Sequence, residues 1–154
     1  MSKPIPIILD GDPGHDDAIA WMLAASSPKL KILAVTSSSG NQTIEKTTNN
    51  ALRVMALLGI DAPMAMGAVK PLISPPAPGP EVHGESGLDG ADLPERAQEP
   101  VDLPAAELMA QVIAASPDPV TLVPTGPLTN IAALLLSHPE VKGNIQRISL
   151  MGGG

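Results

Sequence analysis

Four of the sixteen acidic residues fall within eight positions of the segment Ile8-Leu9-Asp10-Gly11-Asp12-Pro13-Gly14-His15-Asp16-Asp17. Carboxylates crowded in this way repel one another, and the repulsion raises their pKa values unless a cation offsets it. A hard divalent ion with oxygen ligands, Ca²⁺ or Mg²⁺, is the natural occupant of such a loop. A solvated turn with helix-start acids would account for Asp16 or Asp17, but not for all four. The spacing is not that of an EF-hand: counted from Asp10, the sixth residue is His15 rather than Gly and the twelfth is Trp21 rather than Glu. No G-x-G-x-x-G or G-K-[ST] follows any apolar run, so a phosphate-cradling loop is a poor fit. Strand-Asp-x-Asp leaves two enzymatic readings open. One is a haloacid-dehalogenase-like, Mg²⁺-dependent phosphotransferase with the first Asp as nucleophile. The other is hydrolysis by cation-activated water that a neighbouring carboxylate deprotonates. A non-catalytic, cation-binding module is the alternative outside catalysis.

The elements around the loop determine how it is held. Ile5 to Leu9 is an apolar run of strand length interrupted by Pro6, which predicts an edge position or a strand beginning near Ile7. From Asp17 to Ser26, Ala18, Ile19, Met22 and Leu23 recur at helical spacing, with Trp21 and Ala25 widening the apolar surface. Leu30 to Thr36 reads as a buried strand, and Thr43 to Leu58 as a helix with Thr43 as N-cap and Gly59 as terminator. Met64 to Met66 is a short strand. Residues 71–104 hold eight of the eighteen prolines and no periodicity, the composition of a functional flap or a mobile loop. Pro104 to Ser116 predicts a helix with Pro at its first position, Val120 to Val123 a strand, Leu128 to Ser137 a helix, and Ile145 to Met151 a last strand. Strands alternating with helices in this order predict an α/β fold: a mainly parallel, Rossmann-like open sheet with helices on both faces. Its ligands belong at the carboxyl ends of the strands, where the acidic loop lies.

Composition narrows the classes. The chain has 154 residues, 44% hydrophobic, with a formal net charge of −7. So acidic a balance offers no basic stripe for nucleic acid and no attraction to an anionic membrane. The absence of cysteine removes disulfides and thiolate sites. No run approaches the ~18 apolar residues of a membrane span, and the opening Met-Ser-Lys-Pro leads into acids rather than a signal h-region. The expectation is a cytoplasmic protein. Trp21 is the single aromatic, so a stacking wall for a planar ligand is missing from these residues.

The run D-G-D-P-G-H-D-D-A, together with Ser39-Gly40-Asn41-Gln42-Thr43, resembles the inosine–uridine nucleoside hydrolase family. Three further blocks match in order and spacing: His83-Gly84-Glu85-Ser86-Gly87-Leu88-Asp89-Gly90, Thr125-Gly126-Pro127-Leu128-Thr129-Asn130 and Leu150-Met151-Gly152-Gly153-Gly154. The wording H-G-E-S-G-L-D-G is most similar to the bacterial pyrimidine-preferring members. The resemblance implies hydrolysis of the N-glycosidic bond of ribonucleosides, such as uridine and cytidine, by calcium-activated water. It implies Asp12 as general base and calcium ligand, Asp17 as bidentate calcium ligand, and Thr125 as a ligand through its backbone carbonyl. It further implies Asp16 as a ribose contact, Asn41 as a ribose-contacting or site-ordering amide, His83 near the base pocket, and Asp10 as a supporting carboxylate beneath the metal shell. The partners implied are a ribonucleoside and Ca²⁺, with a homo-oligomer, dimer or tetramer, for the full-length protein.

Family members are about twice this long, so residues 1–154 read as the N-terminal half of a single nucleoside hydrolase domain, with a Pro/Gly-rich flap at about 71–104. The last aspartate ligand, the acid serving the leaving base and most aromatic pocket residues are expected in the other half. On that expectation the 154 residues alone are inactive or nearly so. His15 is left between a flanking role and a helix-start surface role, His138 reads as structural at a helix end, and Met55, Met109 and Trp21 read as core.

Overall fold

A computed structural model describes residues 3–152. Five strands form one parallel sheet in the order β3-β2-β1-β4-β5. They are β1 (Ile5–Gly11), β2 (Leu30–Ser37), β3 (Met64–Ala65), β4 (Val120–Pro124) and β5 (Ile145–Ile148). The helices are α1 (His15–Ser26), α2 (Ile44–Leu58), α3 (Pro80–His83), α4 (Ala105–Ala115) and α5 (Thr129–Ser137). This is the doubly wound pattern predicted from the alternation of elements.

Each face of the sheet has its own core. Ile7, Leu9 and Val35 pack with Trp21 of α1 and with Leu52 and Met55 of α2. Ile8, Ala34 and Leu122 point to the other face, against Met109 and Ile113 of α4 and Leu134 of α5. The order reverses between β1 and β4, and the helices that follow those two strands leave to opposite faces. The loops after β1 and β4 therefore part, and the gap between them is the ligand crevice of open α/β sheets.

Several expectations need correction. β1 is a central strand, paired on both sides, not an edge, and it starts at Ile5. Pro6 is tolerated because pairing with β4 begins only at Ile7, so its missing N–H falls outside that ladder. Helix α1 opens at His15, two residues before the apolar periodicity begins. Thr43 takes the N-cap place of α2 without a side-chain cap bond, and Pro104 is the N-cap of α4 rather than its first residue. A 3₁₀ helix, Pro139–Asn144, was not legible. β5 ends at Ile148, although Ser149 N–H and Met151 N–H still donate to Leu122 and Pro124 carbonyls at 2.8 and 3.0 Å. Gly153 and Gly154, the end of the last matching block, lie outside the described residues.

Residues 71–104 hold little regular structure beyond α3, yet the centre of this segment is tied to α2 and the loop before it. Gln42 Nε2 donates to the Gly84 carbonyl at 3.0 Å and Asn50 Nδ2 to the Ser86 carbonyl at 2.8 Å, while Lys46 Nζ donates to the Glu85 carbonyl. Gly84, Gly87 and Gly90 have φ of 78°, 86° and 87°, a region that only glycine enters at no steric cost. Asp89 caps the resulting turn by accepting from Glu85 and Ser86 N–H groups at 2.9 and 3.0 Å. The Ser86 hydroxyl, and then those two bonds, hold its carboxyl below the ordinary range.

Candidate active site

The acid loop leaves the carboxyl end of β1 into the crevice. Asp10, still on the strand, is fully buried. Its Oδ1 accepts from Thr36 Oγ1 at 2.6 Å and from Asn130 Nδ2 at 2.8 Å, while Oδ2 has no partner. Burial pushes its carboxyl up to about 6, against those two hydrogen bonds. Asn130 reaches across the sheet: its Nδ2 also donates to the Ser37 carbonyl at 2.7 Å, and its Oδ1 accepts from Ala68 N–H at 2.9 Å. One amide thus fixes Asp10, the end of β2 and the segment after β3.

Asp12 lies two residues further out along the chain and is 5% exposed. Its Oδ2 accepts from Asn41 N–H at 2.7 Å, and Asn41 Nδ2 returns a bond to the Asp12 carbonyl at 2.9 Å. Burial, and then the charge of Asp17, push the Asp12 carboxyl up to about 7. Asp17, in the first turn of α1, is buried as well. Its Oδ2 accepts from Gly14 N–H at 3.2 Å, and its Oδ1 accepts from the Thr125 hydroxyl. Burial also raises its carboxyl, partly countered by the Thr125 and Gly14 bonds. Thr125, just after β4, closes the arrangement by donating its N–H to the Asp10 carbonyl at 2.8 Å. Asp16 is exposed beside this pair and makes no hydrogen bond among the described residues.

The carboxylates sit so close to glycine backbone that a side chain there would collide. A Cβ on Gly40 would lie 2.0 Å from Asp12 Oδ2, and one on Gly126 2.2 Å from Asp12 Oδ1. The flap reaches the same place. His83 meets His15 edge to edge with ring centroids 5.6 Å apart, and a Cβ on Gly14 would meet the His83 ring at 2.7 Å.

Asp10, Asp12, Asp17, Asn41 and Thr125 therefore converge, with Asp16 and His83 at the rim. Sequence reasoning missed Asn130, although it ends the T-G-P-L-T-N block; the signal was an amide near a strand end with no apolar reason to be buried. It missed the Thr125 hydroxyl too. Among the described residues, no three imidazole or carboxylate side chains gather in metal-binding geometry. A cation would have to be held by Asp12 and Asp17 with uncharged oxygens such as those of Thr125. Two buried carboxylates with raised proton affinity, that of Asp12 pushed further by the Asp17 charge and that of Asp17 by Asp16, with the lysine and arginine ion pairs all elsewhere among the described residues, form a donor set that suits a hard cation. None of the helices among those residues is long and apolar enough to cross a membrane.

A family model described as inosine-uridine preferring nucleoside hydrolase matches residues 7–154. The pyrimidine-specific ribonucleoside hydrolase RihA of Shewanella woodyi is 60% identical over 149 residues, 96% of this chain and 48% of that protein. The RihA of Salmonella newport is 57% identical over 150 residues, 97% of this chain and 48% of its own. Among solved structures, a purine-preferring ribonucleoside hydrolase from Gardnerella vaginalis superposes with a TM-score of 0.89 at 31% identity, covering 97% of this chain and 49% of that one. The plant nucleoside hydrolase PpNRh1 gives 0.88 at 32% identity, covering 98% and 48%. The chain spans about half the length of the curated relatives it matches. With the fold, the acid loop and the flap matched from Ile7 onward, the chain belongs to the inosine-uridine preferring nucleoside hydrolase family.

Proposed function

We propose that the protein hydrolyses the N-glycosidic bond of ribonucleosides to ribose and free base, with pyrimidine nucleosides such as uridine and cytidine as substrates. The observation that carries this reading is the buried pair Asp12 and Asp17 at the sheet's crevice, both with raised proton affinity, and the exposed Asp16 beside them. The preference for pyrimidines is supported by the relatives at 57–60% identity, which are described as pyrimidine-specific.

Asp12 and Asp17, with the backbone carbonyl of Thr125, would hold a calcium ion. Bound there, the ion supplies orientation of a ribose diol and a lowered pKa for a coordinated water. Asp12 acts as general base and takes the proton of the attacking water. Asn41 fixes the orientation of Asp12 through the pair of bonds between them. Asp16 accepts a ribose hydroxyl, and Asp10 supports the loop from below through Thr36 and Asn130. His83, on the flap, faces the leaving base. No covalent nucleophile takes part.

The test is ribose release from uridine, cytidine and inosine by the protein made from its complete coding sequence, with calcium and with chelator. Release from uridine and cytidine that chelator abolishes, and that Asp12→Asn reduces by orders of magnitude, is expected. No release of ribose, or full activity in the Asp12→Asn variant, overturns the reading.

A further inference from the structure

His15 stands in the acid loop without a task in the mechanism above, yet both of its ring nitrogens are engaged. Nε2 lies 3.0 Å from the Asp89 carbonyl oxygen, and Nδ1 lies 3.3 Å from Nδ1 of His83. The ring planes lie 21° from parallel with centroids 5.6 Å apart, so the rings meet edge to edge through the two Nδ1 atoms. We propose that His15 is a positioning residue that holds His83 in the tautomer protonated at Nδ1, so that His83 meets its ligand through an unprotonated Nε2. The inference rests on the place of His83 in the substrate pocket proposed above.

A carbonyl oxygen only accepts, so the nitrogen facing Asp89 carries a proton. A neutral imidazole has one N–H, which leaves Nδ1 of His15 as an acceptor. The group facing that acceptor is Nδ1 of His83, which must then be the donor. With its single proton committed to His15, His83 retains a bare Nε2. The Asp89 carbonyl that starts the chain is itself set in place, because the Asp89 carboxylate caps the glycine turn at Glu85 and Ser86. The fold of the flap thus dictates a proton position on its own histidine ring, by way of a residue on α1. An unprotonated Nε2 accepts from a ribose hydroxyl, a uracil N–H or a cytosine amino group. It offers nothing to a base carbonyl.

The test is long-range ¹H–¹⁵N correlation on the ¹⁵N-histidine-labelled protein at a pH of about 8.5, about two units above the pKa of a model imidazole. His83 is expected to show the Nδ1–H pattern and His15 the Nε2–H pattern; free imidazole side chains favour Nε2–H. In His15→Gln, whose side-chain oxygen accepts and whose amide donates, His83 keeps the Nδ1–H pattern. In His15→Ala it loses that pattern and reverts to Nε2–H. Unchanged emission from the single, buried Trp21 confirms that both variants are folded. An Nε2–H pattern for His83 in the parent protein, or an unaltered Nδ1–H pattern in His15→Ala, overturns the proposal. A protein that released no ribose would sink the hydrolase reading and leave this spectrum as it is, so the two fail separately.

Discussion

Replacing Asp12 by Asn separates what the acid loop does from what it costs the fold. The Asp12 carboxyl rises from 3.8 to about 7, by burial first and the Asp17 charge second. A carboxyl with its folded pKa above its unfolded value holds its proton more tightly in the folded state. Its favourable contribution is therefore complete below about pH 4 and is lost as pH rises through about 7. The displacement corresponds to about 4 kcal/mol withheld from folding once the group is ionised. The carboxamide of the Asp12→Asn variant would carry no charge and would keep an oxygen to accept the Asn41 N–H. Its NH₂ group, lying where Gly40 and Gly126 press on the carboxylate, would lack an acceptor, at a cost of about 1–3 kcal/mol. The net expectation in chelator at pH 8 is a variant more stable than its parent by about 1–3 kcal/mol, or roughly 2–12 °C in Tm. Calcium reverses the order of gains. At about 100 times Kd it stabilises the parent by about 2.7 kcal/mol and the variant by nothing measurable. Calorimetric scans of both proteins, with chelator and with calcium, read all four values. A variant less stable than its parent in chelator at pH 8, or one that still gains from calcium, refutes the reasoning.

Asp10→Asn acts on a neighbouring group by the same rule. With its carboxyl pushed up to about 6, Asp10 makes stability fall by about 3 kcal/mol as pH rises from about 4 to above 6, and the variant removes that slope. Urea unfolding across that range checks it, and a slope in the variant as steep as the parent's would show that Asp10 titrates as it does when unfolded. Gly126→Ala places a methyl 2.2 Å from Asp12 Oδ1 and 2.9 Å from the Asp12 backbone nitrogen. The expected result is overpacking of about 1–3 kcal/mol and at least about tenfold weaker calcium binding, because the carboxylate must turn away. Titration calorimetry reads the affinity, and an unchanged Kd would mean that Asp12 does not hold the ion.

The fold was legible because its signals are local. Apolar runs of strand length alternate with helical periodicity, and the acids follow the first of them. What escaped the sequence was set by neighbours. Pro6 reads as an edge marker, but only the staggered start of β4 decides that its missing N–H has no consequence. Asn130 resembles any amide at a helix start, and its role appears only when β1, β2 and the segment after β3 are brought beneath it. The flap is the clearest case. Its prolines and glycines argue for mobility, while the side chains that restrain it, Gln42, Lys46 and Asn50, sit on or just before a helix some forty residues away in sequence.

The way these polar groups are tied together explains how a sheet with so few aromatic or cationic props tolerates three buried carboxyls. Each has a donor from a different element: Asp10 from β2 and α5, Asp12 from the loop after β2, and Asp17 from the residue that follows β4. None of these donors is charged, so the hydrogen bonds lower the three pKa values only in part, and burial still prevails. Donors of that kind fix direction without neutralising charge. An arginine or lysine in their place would have stabilised the apo fold more and would have competed with any cation for the same oxygens. The switch point thus keeps its acids oriented and underneutralised at once, a state of lower stability that a divalent ion can relieve and a fixed ion pair could not.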